Sequence, residues 1–145
     1  MYKHILIATD GSELAGRAVT TGLALAKVLK ARVTAVTATE PWSAMVIGEP
    51  ALVFPIKEYE KATAENADRI LSGVSSSAKD AGVKCETVHV NDFPAEGIVE
   101  TARAKDCDLI VMASHGRRGL SKLLLGSQTT RVLTLTEMPV LVCRQ

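Results

Sequence analysis

The residues best suited to chemistry fall in three short polar stretches: Thr9-Asp10-Gly11-Ser12, Ser114-His115-Gly116-Arg117-Arg118-Gly119 and Gly126-Ser127. Gly116 comes just after an unbroken apolar run, where the backbone can approach a ligand with no β-carbon in the way. Gly126-Ser127 stands ten residues further on, at the start of a helical pattern. The first amides of such a helix have no partners within it, and the helix dipole adds partial positive charge there. Arg117, Arg118 and Lys122 lie between the two glycines. Free amides, a hydroxyl, a positive dipole end and guanidinium groups in one place suit a phosphate. A carboxylate on a neighbouring loop, here Asp10, can accept both hydroxyls of a ribose. The combination reads as a nucleotide site, with ribose toward Asp10 and phosphates toward Gly116, Gly126 and Ser127.

Each residue also has a plainer reading. Gly126-Ser127 serves equally as a turn and helix cap, Asp10 as the cap of the first helix, and Arg117 and Arg118 as a solvated surface pair. His115 either shapes the Ser114–Gly119 turn or touches a ligand. What favours the functional reading is that the stretches all follow carboxyl ends of strands. Two other motifs fail. Gly11-Ser-Glu-Leu-Ala-Gly16-Arg17-Ala18 has the glycine spacing of a Walker A loop but lacks its Lys and Ser/Thr, and no G-x-G-x-x-G stretch exists. His4 and His89 fall within strands, where packed or edge histidines are expected. No nucleophile stands in an obvious triad with His115, and no acidic pair has metal spacing. The chain therefore offers no catalytic residues and no metal ligands of its own; Mg²⁺ or Mn²⁺ would arrive with nucleotide phosphates.

The elements that must position these residues follow from periodicity. Residues 4–9 form a short apolar strand. Leu14, Ala18, Gly22, Leu25 and Leu29 then mark one helical face. Residues 32–39 are β-branched and read as a second strand. Residues 40–56 carry Pro41, Pro50 and Pro55 among apolar side chains, Trp42 included, and a connection of this length and character reads as a lid or binding loop. Helical periodicity resumes from Lys57 to Ala81 and stops at Gly82. Val83–Val90 alternates as a third strand, Pro94 opens a helix at its first position, and Asp108–Ala113 is an unbroken, fully buried strand. Ser114–Leu125 is a basic loop, Gly126-Ser127 begins the last helix, and Pro139–Cys143 is the last strand. Strict alternation of strand and helix predicts a single-domain, doubly wound α/β fold over residues 1–145, its parallel sheet covered on both faces.

Composition narrows the function. The 145 residues are 47% hydrophobic and 23% charged, as in soluble globular chains. Seventeen basic side chains against 16 acidic ones leave a net charge of +1. That balance gives no electrostatic case for nucleic acid or an anionic membrane, and 3% aromatics supplies no stacking platform for bases. Cys85, Cys107 and Cys143 are widely spaced and odd in number, so reduced, mostly buried thiols are expected. The N-terminus has no signal-peptide layout, and no apolar run approaches the ~20 residues that span a bilayer. A cytoplasmic protein is expected.

These stretches also resemble the universal stress protein family over nearly the whole chain: Ile5-Leu-Ile-Ala-Thr-Asp-Gly-Ser12, Asp108-Leu-Ile-Val-Met-Ala-Ser-His-Gly116, Gly119-Leu-Ser-Lys-Leu-Leu-Leu-Gly-Ser127 and Pro139-Val-Leu-Val142. The family's ATP-binding branch carries G-x2-G-x9-G-[ST]. Gly116, Gly126 and Ser127 match it, while Ala113 replaces the first glycine. The resemblance implies a sheet of order 3-2-1-4-5, with Asp10 and Ser114 side by side. It implies ATP, with Mg²⁺ or Mn²⁺, held by Thr9, Asp10, Ala38, Ala113, Ser114, His115, Gly116, Arg117, Gly119, Gly126, Ser127 and Gln128. Asp10 would take the ribose, the backbone near Ala38 the adenine, and Gly116, Arg117, Gly126 and Ser127 the phosphates. It further implies a homodimer paired through residues 139–143, acting as a stress or signalling switch with at most weak ATP hydrolysis. The competing expectations are a dimeric interaction protein that binds no nucleotide and a hydrolase or nucleotidyl transferase built on His115.

Overall fold

The computed structural model describes residues 1–42, 56–116 and 124–144. Its elements are β1 (His4–Ala8), α1 (Glu13–Leu29), β2 (Arg32–Thr39), α2 (Ile56–Ala81), β3 (Cys85–Asn91), α3 (Pro94–Ala104), β4 (Leu109–Ala113), α4 (Ser127–Leu135) and β5 (Val140–Cys143). The strands form one sheet in the order β3-β2-β1-β4-β5, with every pairing parallel. All five residues of β1 and of β4 are buried, as their unbroken apolar runs require at the centre of a two-sided sheet. Successive side chains serve opposite faces. Ile5, Ile7, Val33 and Val111 pack with Ala18, Leu23, Leu71 and Val74 beneath α1 and α2. Leu6, Val36, Ile110 and Met112 pack with Ile98, Val99 and Val132 beneath α3 and α4.

Part of the expected face of α1 is buried as read, Ala18 and Gly22, together with Ala15, Val19, Leu23 and Ala26, while the expected Leu14, Leu25 and Leu29 pack at the margin. Small side chains let the helix lie close on the sheet: a β-carbon at Gly22 would stand 2.6 Å from Ile7 Cδ1. Elsewhere the punctuation acts as expected. Gly82 ends α2 with φ +72, a conformation L side chains rarely adopt. Pro94 opens α3 behind the Phe93 cap residue. The strand histidines are packed, His4 Nε2 sharing a 2.7 Å hydrogen bond with Thr34 Oγ1 and His89 Nε2 a 2.8 Å one with Thr39 Oγ1.

Two expectations need adjusting. Of the three free cysteines only Cys107 is buried, and burial pushes its thiol up to about 11. Cys85 and Cys143 are half-exposed because they lie on the edge strands. Of the stretch read as a lid, residues 43–55 lie outside the described residues. Its two ends meet where Tyr59, in the first turn of α2, donates a 2.6 Å hydrogen bond to the Glu40 carbonyl. Among the described residues, no helix is long and apolar enough to cross a membrane.

Candidate functional site

β1 and β4 are central neighbours, so the turns leaving their carboxyl ends meet. The turn after β1 is tied down from within. The Thr9 amide donates to the Val36 carbonyl at 3.0 Å, and Gly11, at φ 80, donates its amide to Thr9 Oγ1 at 3.2 Å. The Ser12 amide donates to Asp10 Oδ1 at 2.9 Å, while Ser12 Oγ accepts from the Ala15 amide and caps α1. The helix cap is thus Ser12, and Asp10 instead has its carboxylate oriented by the turn. Its other oxygen, Oδ2, faces Gly116, where an added β-carbon would stand 2.6 Å away. Two of the three stretches that the sequence singled out are therefore in contact.

The start of α4 is bolted to the end of β4. The Gly126 amide donates to the Ser114 carbonyl at 2.7 Å. Thr129 Oγ1 donates to the Ala113 and Ser114 carbonyls at 2.9 and 3.1 Å. The Ser114 amide donates to the Cys143 carbonyl at 2.8 Å, joining the same point to β5. A β-carbon at Gly126 would meet the Ser114 carbonyl oxygen at 2.9 Å and His115 Cα at 3.3 Å. Gly126 is a glycine because two backbones touch there. Its N–H, expected on a phosphate, is consumed by Ser114, which leaves the following amides, Ser127 and Gln128, at the open end of the helix. Gly126 brings no side-chain cap, and the first turn of α4 holds no acidic residue, unlike the first turns of α1, α2 and α3.

The Gln128 side chain is engaged elsewhere. Its Oε1 accepts the Ala95 amide at 3.2 Å, so the side chain caps α3 rather than facing the turn after β4. Beside it Arg131 and Glu96 form an ion pair between the same two helices. Side-chain reach into a neighbouring helix depends on packing, which sequence spacing does not contain. Ala38 is half-buried near the end of β2, two positions beyond Val36. Ala113 is the buried last residue of β4, paired with Cys143. Ser114 and His115 are buried, the Ser114 hydroxyl sharing a 3.0 Å hydrogen bond with His115 Nδ1. Arg117, Arg118, Gly119 and Lys122 lie outside the described residues.

Sequence reading missed Thr129, which satisfies two strand-end carbonyls with one hydroxyl, and Gly97, whose missing β-carbon lets α3 sit against Val90 and Ala38. No motif marks either. Among the described residues, no cluster of three His, Cys, Asp or Glu side chains could hold a metal ion. A groove of about 420 Å³ between α1 and α2 reaches Thr9, Gly11 and Ser12, but neither Gly116 nor Gly126 lines it.

The universal stress protein family model matches residues 1–144. Universal stress protein MJ0531 of Methanocaldococcus jannaschii is 34% identical over 145 residues, spanning 100% of this chain and 84% of that one. The solved structure of MJ0577, from the same organism, superposes with a TM-score of 0.85 at 30% identity, covering 100% of this chain and 97% of that chain. A universal stress protein solved in complex with cAMP superposes with a TM-score of 0.70 at 25% identity, covering 99% and 97%. With the strand order, the joined Asp10 and Gly116 turns and the matched length all in agreement, the chain belongs to the universal stress protein family.

Proposed function

We propose that this protein is a cytoplasmic stress-response module that binds ATP, with Mg²⁺ or Mn²⁺, between the turns after β1 and β4, and that it works as a homodimeric switch rather than an enzyme. One observation carries the reading: Gly116 and Gly126 are both places where a β-carbon has no room, Gly116 against the Asp10 carboxylate and Gly126 against the backbone of Ser114 and His115. In this reading Asp10 Oδ2 accepts from the ribose, the backbone near Ala38 lines the base, and the Ser127 and Gln128 amides meet phosphate oxygens at a helix start free of acidic side chains. The cation would be held through the phosphates and would neutralise their charge, which fits a chain with no ligand cluster among its described residues. A family member captured with an adenine nucleotide, cAMP, supports the ligand class. The dimer would use β5, an edge strand paired on one side only with β4 and carrying the exposed Leu141.

The test is titration of the purified chain with ATP and Mg²⁺. Trp42, the sole tryptophan, stands at the edge of the long loop and reports binding by fluorescence. A ligand at 100 times its Kd should stabilise the fold by about 2.7 kcal/mol. Absence of binding at millimolar ATP, with the fold intact, overturns the proposal.

A second reading, a dimeric interaction protein without nucleotide, is favoured by Ala113 in place of the motif's first glycine and by the Gly126 amide being taken by Ser114. Ser127→Asp separates the two. It places a negative charge at the start of α4, so it should abolish ATP binding under the first reading and change nothing under the second. Substitution of Gly126 is a poor discriminator, because it disturbs the fold as well as the site.

A further inference from the structure

His115 is only 8% exposed, and its Nε2 has no hydrogen-bond partner among the described residues. A buried polar nitrogen left unpaired is unfavourable by about 1–3 kcal/mol, so such groups ordinarily have partners. The ring cannot simply turn away, since Nδ1 is held by the Ser114 hydroxyl at 3.0 Å. Its Cδ2 edge, next to Nε2, stands 3.7 Å from where a β-carbon of Gly126 would be, which puts that edge of the ring beside the residue that precedes α4. If the Ser114 hydroxyl donates to Nδ1, the ring proton sits on Nε2 and a donor stands ready beside the α4 amides.

We propose that His115 Nε2–H is a ligand-facing donor that completes the anion cradle at the start of α4, and that filling the cradle draws a proton from solvent onto Nδ1, the Ser114 hydroxyl turning from donor to acceptor. The inference rests on the nucleotide reading above for the site, not for its base or sugar. Among the described residues, two titratable residues lie at the neighbouring strand ends. Asp10, from the turn after β1, faces Gly116, and Cys143, from β5, takes the Ser114 amide on its carbonyl. The first turn of α4 contributes no acid. An incoming polyanion brings negative charge to this end of the sheet.

The experiment measures affinity for tripolyphosphate and for ATP from about pH 6 to about pH 8, with the intact chain and with His115→Gln, which keeps a donor but cannot titrate in this range. Phosphate ionisation is common to both proteins, so their difference isolates His115. The native chain should gain at least about threefold more affinity on acidification than the variant, one proton setting a ceiling of about tenfold per pH unit. In ¹⁵N-labelled native protein the Nε2 resonance should shift on adding tripolyphosphate, a readout that needs no variant to fold. Equal pH slopes together with an unmoved Nε2 signal overturn the proposal. A His115-dependent slope with tripolyphosphate, but ATP binding no tighter, upholds it while removing the nucleotide reading. Binding of neither ligand removes both.

Discussion

Asp10 Oδ2 and Gly116 are so close that no β-carbon fits between them: the atom would stand 2.6 Å from the oxygen. Since the Ser12 amide holds Oδ1 at 2.9 Å, the carboxylate cannot swing aside without losing that bond. Gly116→Ala should therefore displace Asp10, lower ATP affinity by tenfold or more and destabilise the fold by about 1–3 kcal/mol. Asp10→Ala removes the obstacle. In that background Gly116→Ala should have almost no further effect on stability, and denaturant unfolding of the four proteins measures this coupling.

Gly126→Ala meets backbone on both sides, the Ser114 carbonyl oxygen at 2.9 Å and His115 Cα at 3.3 Å. No side chain can yield, so the start of α4 must move away from β4. The expected outcome is a loss of about 1–3 kcal/mol, with weakening of the 2.7 Å bond from the Gly126 amide to Ser114 seen as faster amide hydrogen exchange at that position.

What could be read in advance, and what could not, divides along physical lines. Alternating strands and helices give the parallel sheet and the family resemblance its order, and the carboxyl ends of β1 and β4 then bring Asp10 and Gly116 together without any side-chain detail. Turn chemistry at Gly82 and Pro94 was equally local. The buried face of α1 was only partly so: Ala18 and Gly22 were on the expected face, but whether Leu14, Leu25 and Leu29 or Ala15, Val19 and Leu23 flank them is decided by close packing on Ile7. Gln128 lay next to a helix start and so looked like a ligand contact. Its partner, the Ala95 amide, is 33 residues away in sequence and is brought near by the packing of α3 on α4. Thr129 and the unpaired Nε2 of His115 likewise depend on which carbonyls and ring edges face one another.

Thr129 Oγ1 donates to two carbonyls, Ala113 and Ser114, in a buried setting. Thr129→Val keeps the shape and removes the donor, taking one partner from the Ala113 carbonyl and leaving the Ser114 carbonyl with the Gly126 amide. The loss should be about 1–3 kcal/mol, while Thr129→Ser retains the hydroxyl and most of the stability. If the hydroxyl also fixes the helix start for ligand, Thr129→Val should weaken ATP binding in the same titration that leaves Thr129→Ser near the native value.

His4 sets a pH dependence at the opposite end of the sheet. The ring is buried, and burial, then the nearby Arg32 guanidinium, holds its pKa below the usual histidine value. Lys3 and His4 amides donate to the Asp108 carboxylate at 2.8 and 3.1 Å, so the strand cannot readily peel away to let the ring charge. The unfolded chain takes up a proton on this histidine as pH falls below about 6.5, whereas the folded chain resists it. The unfolded state then binds more protons, and stability declines as pH falls from about 6.5 toward the lowered folded value. The 2.7 Å bond between Nε2 and Thr34 Oγ1 is the local contact at stake. His4→Gln keeps a polar group near Thr34 but cannot charge, so it should be less stable than the native chain at neutral pH and lose less on acidification. Urea unfolding at about pH 7.5 and pH 5.5 for both proteins measures the difference, and parallel losses would assign the acid sensitivity to other groups.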